Sequence, residues 1–228
     1  MVSERKKYYR FLIVSVLLMF VMNLMFNIFI LDYFFSIPLK YTKVVEEKAY
    51  KNVVFLGDSI TEVYDLGLYY ADSDYIIINS GYSGNTSRDI LNNIYKRALQ
   101  YKPAKVFLLI GTNDVGFGLK SEETVENIKK IITRLQENEN TQIYVESIYP
   151  INSDLEKSKA GMRTNDSIKK INEQIRSFCL ENNITYIDLY KSLLDENDNL
   201  KDDYTKDGLH LSKDGYRIVT DVLKEYMD

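Results

Sequence analysis

The chain contains 228 residues, of which 45% are hydrophobic and 27% are charged, and its formal net charge is −4. These values are typical of a folded globular protein and exclude an intrinsically disordered chain. Cys179 is the only cysteine, which excludes an intramolecular disulfide and leaves no cysteine pair at metal-ligand spacing. We therefore expect no metal and no cofactor, and we expect Cys179 to be a small core residue on a helix rather than a reactive thiol.

The N-terminal segment has the composition of a membrane anchor. Four basic residues within the first ten positions precede an apolar run of 21 residues, 11–31. As a helix this run would rise about 31 Å, close to the roughly 30 Å thickness of the hydrocarbon core of a bilayer. Asn23 and Asn27, its only strongly polar members, share one helical face, where they either bond a partner helix or are merely tolerated.

The charge pattern predicts the orientation of this anchor. A basic cluster before a span stays in the cytoplasm, so we expect a single-pass protein of the cell membrane with an extracytoplasmic domain. A cleaved signal peptide is the competing interpretation, but the apolar run exceeds the usual ~7–15 residues and residues 32–36 lack a small-x-small exit. The segment up to residue 31 carries +3, which leaves −7 on the remainder and gives no support for nucleic-acid binding.

We divide the chain into a cytoplasmic basic tail at 1–10, a transmembrane signal anchor at 11–35, a juxtamembrane stalk at 36–51 and one α/β domain at 52–228. The predicted strands of this domain are 52–56, 75–79, 105–110, 141–148 and 185–189, and their continuous hydrophobicity predicts burial on both faces. The predicted helices are 87–101, 121–138, 165–182 and 212–227. This alternation predicts a three-layer α/β/α sandwich with a five-stranded parallel sheet.

Polar motifs follow three of the strands and precede the last helix. Ser59 lies past the first strand in GDSI (57–60), Gly81 past the second in NSGYSG (79–84), and Asn113 past the third in GTND (111–114). His210, the only histidine, ends DGLH (207–210). Because ligands bind at the carboxyl ends of the strands in an open α/β sheet, we expect these four segments to converge on one edge.

The order of these motifs resembles the four blocks of the SGNH, or GDSL-type, hydrolase superfamily, and the resemblance spans residues 53–216. Further matches at 147–150, 165–172, 186–189 and 210–216 resemble the lysophospholipase-like and acetylhydrolase-like esterase branch. Ile60 replaces the Leu of the family name, a volume-conserving change without chemical consequence. The resemblance implies the flavodoxin-like SGNH hydrolase fold.

The resemblance also implies roles for the matched residues. Ser59 would be the nucleophile, His210 its base and Asp207 the acid that orients the base. The oxyanion donors would be the backbone amides of Ser59 and Gly81 and the carboxamide of Asn113. The residue types suit these roles, because imidazole titrates near neutrality and can take the serine proton, while donors aimed in advance stabilise a tetrahedral oxyanion.

Each position also has a purely structural interpretation. Ser59 alone could be a helix N-cap, His210 a packing histidine, and Gly81, Asn113 and Asp207-Gly208 turn residues. Their joint occurrence in this order favours the catalytic interpretation.

Four further residues adjoin these motifs. Asp58 and Asp114 are expected to hold their loops through neighbouring backbone amides, and Tyr82 and Tyr149 to line the pocket. The charged run 195–203 does not match an EF-hand, so we expect a solvated loop there and no metal.

We therefore expect a membrane-anchored serine esterase that acts on a small-molecule or glycan ester. The long loops 151–164 and 194–206 are polar and offer no apolar lid, which favours a short acyl group. Two alternatives stay open. The same triad could pass an acyl group to an envelope glycan, with a membrane partner as acyl donor, or the domain could be a surface binding module without activity.

Overall fold

The computed structural model describes residues 14–31 and 51–227, which fall in two separate units. The first is helix α1, Val14–Leu31, whose mean hydropathy is 2.4. It is long and apolar enough to cross a membrane, a property that signal sequences share. The Asn27 carboxamide donates to the Asn23 backbone carbonyl and side-chain oxygen, at 2.8 and 2.6 Å. The two polar side chains of the run therefore bond to each other within the helix.

The second unit contains a parallel sheet of five strands in the order β2-β1-β3-β4-β5. The strands are β1 (Asn52–Gly57), β2 (Ile76–Gly81), β3 (Lys105–Leu109), β4 (Gln142–Glu146) and β5 (Thr185–Ile187). This is the flavodoxin-like order, and its direction reverses between β1 and β3, which is where such sheets bind ligands. The predicted three-layer architecture is confirmed.

Helices cover both faces of this sheet. They are α2 (Ser59–Glu62), α3 (Leu66–Tyr69), α4 (Ser87–Arg97), α5 (Thr112–Gly116), α6 (Ser121–Gln136), α7 (Asn165–Glu181), α8 (Leu189–Ser192) and α9 (Lys213–Leu223). Alternate residues of β1 divide between two cores: Val54 and Leu56 pack toward α4, α6 and α7, whereas Val53 and Phe55 pack toward α2, α8 and α9. The period of two in a strand thus builds both layers from one run of apolar residues.

Two predictions about the elements need correction. Burial on both faces holds for β1 and β3, but β2 and β5 are the edge strands and Ile76 is exposed. The predicted helices 87–101 and 212–227 end earlier, at Arg97 and Leu223, and continue as the short 3-10 turns Leu99–Tyr101 and Lys224–Tyr226. Cys179 is fully buried on α7, as expected. The predicted tail 1–10 and most of the stalk 36–51 lie outside the described residues.

Candidate active site

Ser59 is the first residue of α2, directly after the turn that ends β1. The N-cap of this helix is Asp58, whose Oδ1 accepts from the Ile60 amide at 2.9 Å, so Ser59 is not the cap. Its hydroxyl lies instead 3.0 Å from His210 Nε2. The turn is tight, because a Cβ on Gly57 would stand 2.6 Å from the Leu109 carbonyl oxygen. Glycine at 57 thus lets the chain present Ser59 beside β3.

A compact turn before α9 brings Asp207 and His210 together. Asp207 Oδ1 accepts from the backbone amides of Leu209 and His210 at 3.1 and 2.8 Å, while Oδ2 lies 2.9 Å from His210 Nδ1. Gly208 between them has φ +71°, and a Cβ there would stand 2.0 Å from the Asn152 carbonyl oxygen. The three-residue spacing therefore lets one carboxylate bind both the backbone and the ring of the histidine.

The ionisation of Asp207 determines the tautomer of His210. Partial burial opposes the charged form, but hydrogen bonds from the His210 ring, from two backbone amides and from Lys159 outweigh it and lower the pKa of Asp207 to about 2. An ionised carboxylate only accepts hydrogen bonds, so neutral His210 must donate from Nδ1. Its Nε2 is then left to accept from the Ser59 hydroxyl, as a general base must.

The structure brings Gly81 and Asn113 to the same edge of the sheet as Ser59. Their donor groups differ in the hydrogen bonds that they already make. Gly81 pairs with Gly57 in the sheet, but its amide donates to the Asn79 side-chain oxygen at 2.9 Å. Asn113 Nδ2 donates one hydrogen to the Asn85 carbonyl at 3.0 Å. Its second hydrogen meets no acceptor among residues 51–227. The carboxamide of Asn113 is thus a better-prepared donor than the Gly81 amide.

The four residues that adjoin the motifs, Asp58, Tyr82, Asp114 and Tyr149, do not share one role. Asp58 caps α2, and Asp114 accepts from the Ser87 amide and hydroxyl at 2.9 and 2.5 Å, so both hold loops. The partner of Asp114 is a distant residue rather than the neighbour that the sequence predicted. Tyr82 is exposed at the site edge of the sheet. Tyr149, also predicted to line the pocket, has its ring buried against the core, and its hydroxyl donates to Glu146 at 2.5 Å.

Two buried carboxyl groups lie near the triad. Burial raises the pKa of Asp58 to about 7 and also raises the pKa of Glu146 to about 7. Hydrogen bonds from the Ile60 amide to Asp58 and from the Tyr149 hydroxyl to Glu146 favour the ionised forms and so limit the two shifts. Asp58 Oδ2 is buried with no hydrogen-bond partner among the described residues. Across residues 14–31 and 51–227, no cluster of three or more His, Cys, Asp or Glu side chains could hold a metal ion.

Sequence reasoning missed two arginines that contact the site loops. Arg97 on α4 is nearly buried and donates to the backbone carbonyls of Gly57 and Ser80 and to the Asn85 side chain. Arg163 donates to Asn113 Oδ1 at 2.7 Å. A single basic residue in a helix or a polar loop carries no periodic signal, so only tertiary contacts reveal these roles.

The fold and the side chains at its strand ends match the SGNH, or GDSL-type, hydrolase superfamily. A profile of the GDSL-like lipase/acylhydrolase family matches residues 55–218. The chain belongs to this family.

Two relatives with different named activities align with this chain. A GDSL esterase/lipase, WDL1, from Oryza sativa subsp. japonica is 29% identical over 171 residues, which are 65% of each chain. An N-acylneuraminate cytidylyltransferase from Streptococcus agalactiae is 26% identical over 82% of this chain and 41% of its own. This chain thus spans less than two thirds of the length of either relative.

Solved structures share the fold. A GDSL-like lipase from Bacteroides thetaiotaomicron superposes with a TM-score of 0.70 and 27% identity, over 79% of this chain and 89% of its own. An acetyl xylan esterase, AlAXEase, gives a TM-score of 0.64 and 26% identity, over 77% of this chain and 98% of its own.

Proposed function

We propose that the protein is a serine esterase that hydrolyses a carboxylic ester through an acyl-serine intermediate. The observation that carries the proposal is the unbroken chain of hydrogen bonds from Ser59 Oγ through the His210 ring to Asp207. In the first step His210 Nε2 takes the hydroxyl proton while Ser59 Oγ attacks the ester carbonyl carbon. The imidazolium that forms is stabilised by the ionised Asp207.

The tetrahedral intermediate carries its negative charge on the former carbonyl oxygen. Asn113 Nδ2 and the backbone amides of Ser59 and Gly81 are the proposed donors to that oxygen. Collapse expels the alcohol, which takes the proton from His210 Nε2, and leaves the acyl group on Ser59. A water molecule then gives a proton to His210 Nε2 and attacks the acyl carbon. The bond to Ser59 Oγ breaks, that oxygen takes the proton back from His210, and the acid is released.

A short acyl group, with acetyl as the favoured case, fits the surroundings of the site. The loops near the triad are tied by polar contacts, for example Asn152 Nδ2 to the Leu200 carbonyl at 3.0 Å and to Asp202 at 2.8 Å. One structural neighbour is an acetyl xylan esterase, which supports an acetylated glycan or a similar small ester as substrate.

Substitution of the nucleophile tests this proposal. We expect Ser59→Ala to abolish hydrolysis of p-nitrophenyl acetate and labelling by a fluorophosphonate probe, while Ser177→Ala, at an exposed position on α7, retains both. Turnover by the folded Ser59→Ala variant would remove Ser59 from its role. A folded native protein that the probe does not label would instead support a binding module.

The same assay tests the acyl preference and the acceptor. We expect kcat/KM to fall from acetyl to decanoyl esters, and a steady rise would contradict the short-acyl proposal. Product analysis with a labelled acyl donor and a glycan acceptor separates hydrolysis from transfer: free acid supports the esterase, and acylated glycan supports the acyltransferase.

We further propose that residues 11–35 anchor the enzyme in the cell membrane and that the α/β domain lies outside the cytoplasm. Helix α1 supports this by its length and hydropathy, together with the basic residues that precede it. A membrane-impermeant maleimide applied to intact cells should label Lys130→Cys, on the exposed side of α6, and should not label Ser3→Cys. The reverse pattern would contradict the orientation, and a shortened protein in the medium would indicate cleavage.

A further inference from the structure

We infer that Arg163 is a positioning residue that orients the Asn113 carboxamide toward the oxyanion. The inference rests on the proposed function, because it concerns the donor that this function requires. Arg163 lies at the end of the loop between β4 and α7, 50 residues from Asn113 in the chain, and its Nη2 donates to Asn113 Oδ1 at 2.7 Å.

The donor and acceptor properties of these groups leave one orientation of the amide. A guanidinium group has only donors, so the atom of Asn113 that faces Arg163 must be the oxygen. The Nδ2 group must then face the opposite side, where the Asn85 carbonyl accepts one hydrogen at 3.0 Å. The second hydrogen is left for the substrate. A flipped amide would place NH2 against the guanidinium and oxygen against the Asn85 carbonyl, which are two repulsive contacts.

The guanidinium is itself held in place by the backbone around Asn113. Arg163 Nε donates to the Thr112 carbonyl at 2.9 Å and to its hydroxyl at 3.1 Å, and Nη1 donates to the Ala160 carbonyl at 3.1 Å. Arg163 therefore spans two consecutive residues of the GTND motif, at its threonine and its asparagine. A lysine could not make this set of contacts, because its ammonium group is a single point of donation.

Gly116 supplies the space that the guanidinium occupies. A Cβ on this residue would stand 2.5 Å from Arg163 Cζ and Nη2. The clashing atoms are the far end of a flexible side chain, so Gly116→Ala should displace the guanidinium and spare the backbone. The chain thus offers a second way to break the contact without altering either Arg163 or Asn113.

Kinetics of the full-length enzyme on p-nitrophenyl acetate test the inference. Loss of one oxyanion donor costs about 10²–10³ in kcat, which we expect for Asn113→Ala. Arg163→Met should lower kcat by about 10- to 100-fold and change KM by less than about 3-fold, Arg163→Lys should recover part of the loss, and Gly116→Ala should reproduce most of it. Arg134→Met, which removes an exposed arginine paired with Glu137, serves as the control and should leave kcat unchanged.

The double variant separates positioning from a general structural effect. If Arg163 acts through Asn113, adding Arg163→Met to Asn113→Ala should lower kcat by less than about a further 3-fold. Multiplicative losses, or native kcat in both Arg163→Met and Gly116→Ala, would overturn the inference. Should Arg163→Met fail to fold, Gly116→Ala alone and combined with Asn113→Ala decides between the same outcomes. Failure of the proposed function is distinguishable, since it would show as turnover by Ser59→Ala.

Discussion

Close contact with neighbouring backbone atoms requires glycine at two positions around the nucleophile, 57 and 81. Gly81 lies opposite Gly57 in the sheet, and a Cβ at position 81 would stand 2.0 Å from the backbone nitrogen of Glu62 and 2.5 Å from its Cα. These are backbone atoms of α2, the helix that begins with Ser59, so the clash cannot be relieved by a side-chain rotation. Glycine at this position is therefore required by packing, independently of the oxyanion amide proposed for it.

Gly81→Ala should for this reason damage both stability and activity. We expect a loss of about 1–3 kcal/mol from overpacking and a fall in kcat, because α2 must shift and carry Ser59 with it. Gly67→Ala is the matched control, since the nearest atom to its Cβ would be Asp65 Oδ1 at 3.7 Å, and it should be neutral or slightly stabilising. Thermal unfolding and p-nitrophenyl acetate hydrolysis measure the two effects. Native stability and kcat in Gly81→Ala would contradict the packing argument.

At the scale of elements, Arg97 connects α4 to the ends of two strands. Its guanidinium donates to the Gly57 carbonyl at 3.1 Å, to the carbonyl and hydroxyl of Ser80, and to Asn85 Oδ1 at 2.5 Å. The Tyr82 ring covers it, with 3.8 Å from Cζ to the ring centroid. One helical side chain thus donates to carbonyls at the carboxyl ends of β1 and β2 and supports the loop that contains Asn85, the partner of Asn113.

Arg97→Met should destabilise the fold by more than about 2 kcal/mol, because it removes several hydrogen bonds to buried acceptors at once, among them the carbonyl and hydroxyl of Ser80. Arg88→Met on the same helix removes an exposed arginine that pairs with Glu123, and should cost less than about 1 kcal/mol. Denaturant unfolding of the two variants gives the comparison. Equal effects would show that the contacts of Arg97 contribute no more than a surface ion pair.

At the scale of the whole molecule, folding brings two carboxyl groups into the interior from distant parts of the chain. Asp58 follows β1 and Glu146 ends β4, and burial raises the pKa of each to about 7. The native state then keeps protons between about pH 4 and pH 7 that the unfolded chain releases. Because the unfolded state binds fewer protons in this window, the free energy of unfolding should decrease as the pH rises through it.

Each such group contributes a slope of at most about 1.4 kcal/mol per pH unit, which ends above about pH 7. We expect Glu146→Gln to flatten the dependence of the unfolding free energy on pH between pH 5 and pH 7, and Glu196→Gln, at an exposed loop position, to leave it unchanged. Asp207 has the opposite sign, but its lowered pKa of about 2 confines its effect to pH values below about 4. Parallel stability curves for the native protein and Glu146→Gln would contradict this account.

Much of the fold follows from local patterns. All five strands were predictable to within about one residue at their starts and about two at their ends, because buried apolar runs and the alternation of strand and helix are properties of the sequence itself. The short helices α3, α5 and α8 were not predicted, since one turn of helix has no amphipathic period and depends on tertiary contacts. The exposure of Ile76 was missed for a similar reason, because strand order is not a local property.

The sequence by itself determined the parallel α/β class, the four motifs at its strand ends and the candidate residues Ser59, Asp207 and His210. Parallel crossover units and motif order constrain these features before any contact is known. Only the tertiary structure decided the tautomer of His210, the orientation of the Asn113 amide and the ionisation of Asp58. Each of these depends on hydrogen-bond partners or burial supplied by residues far away in the chain, and no local pattern encodes such contacts.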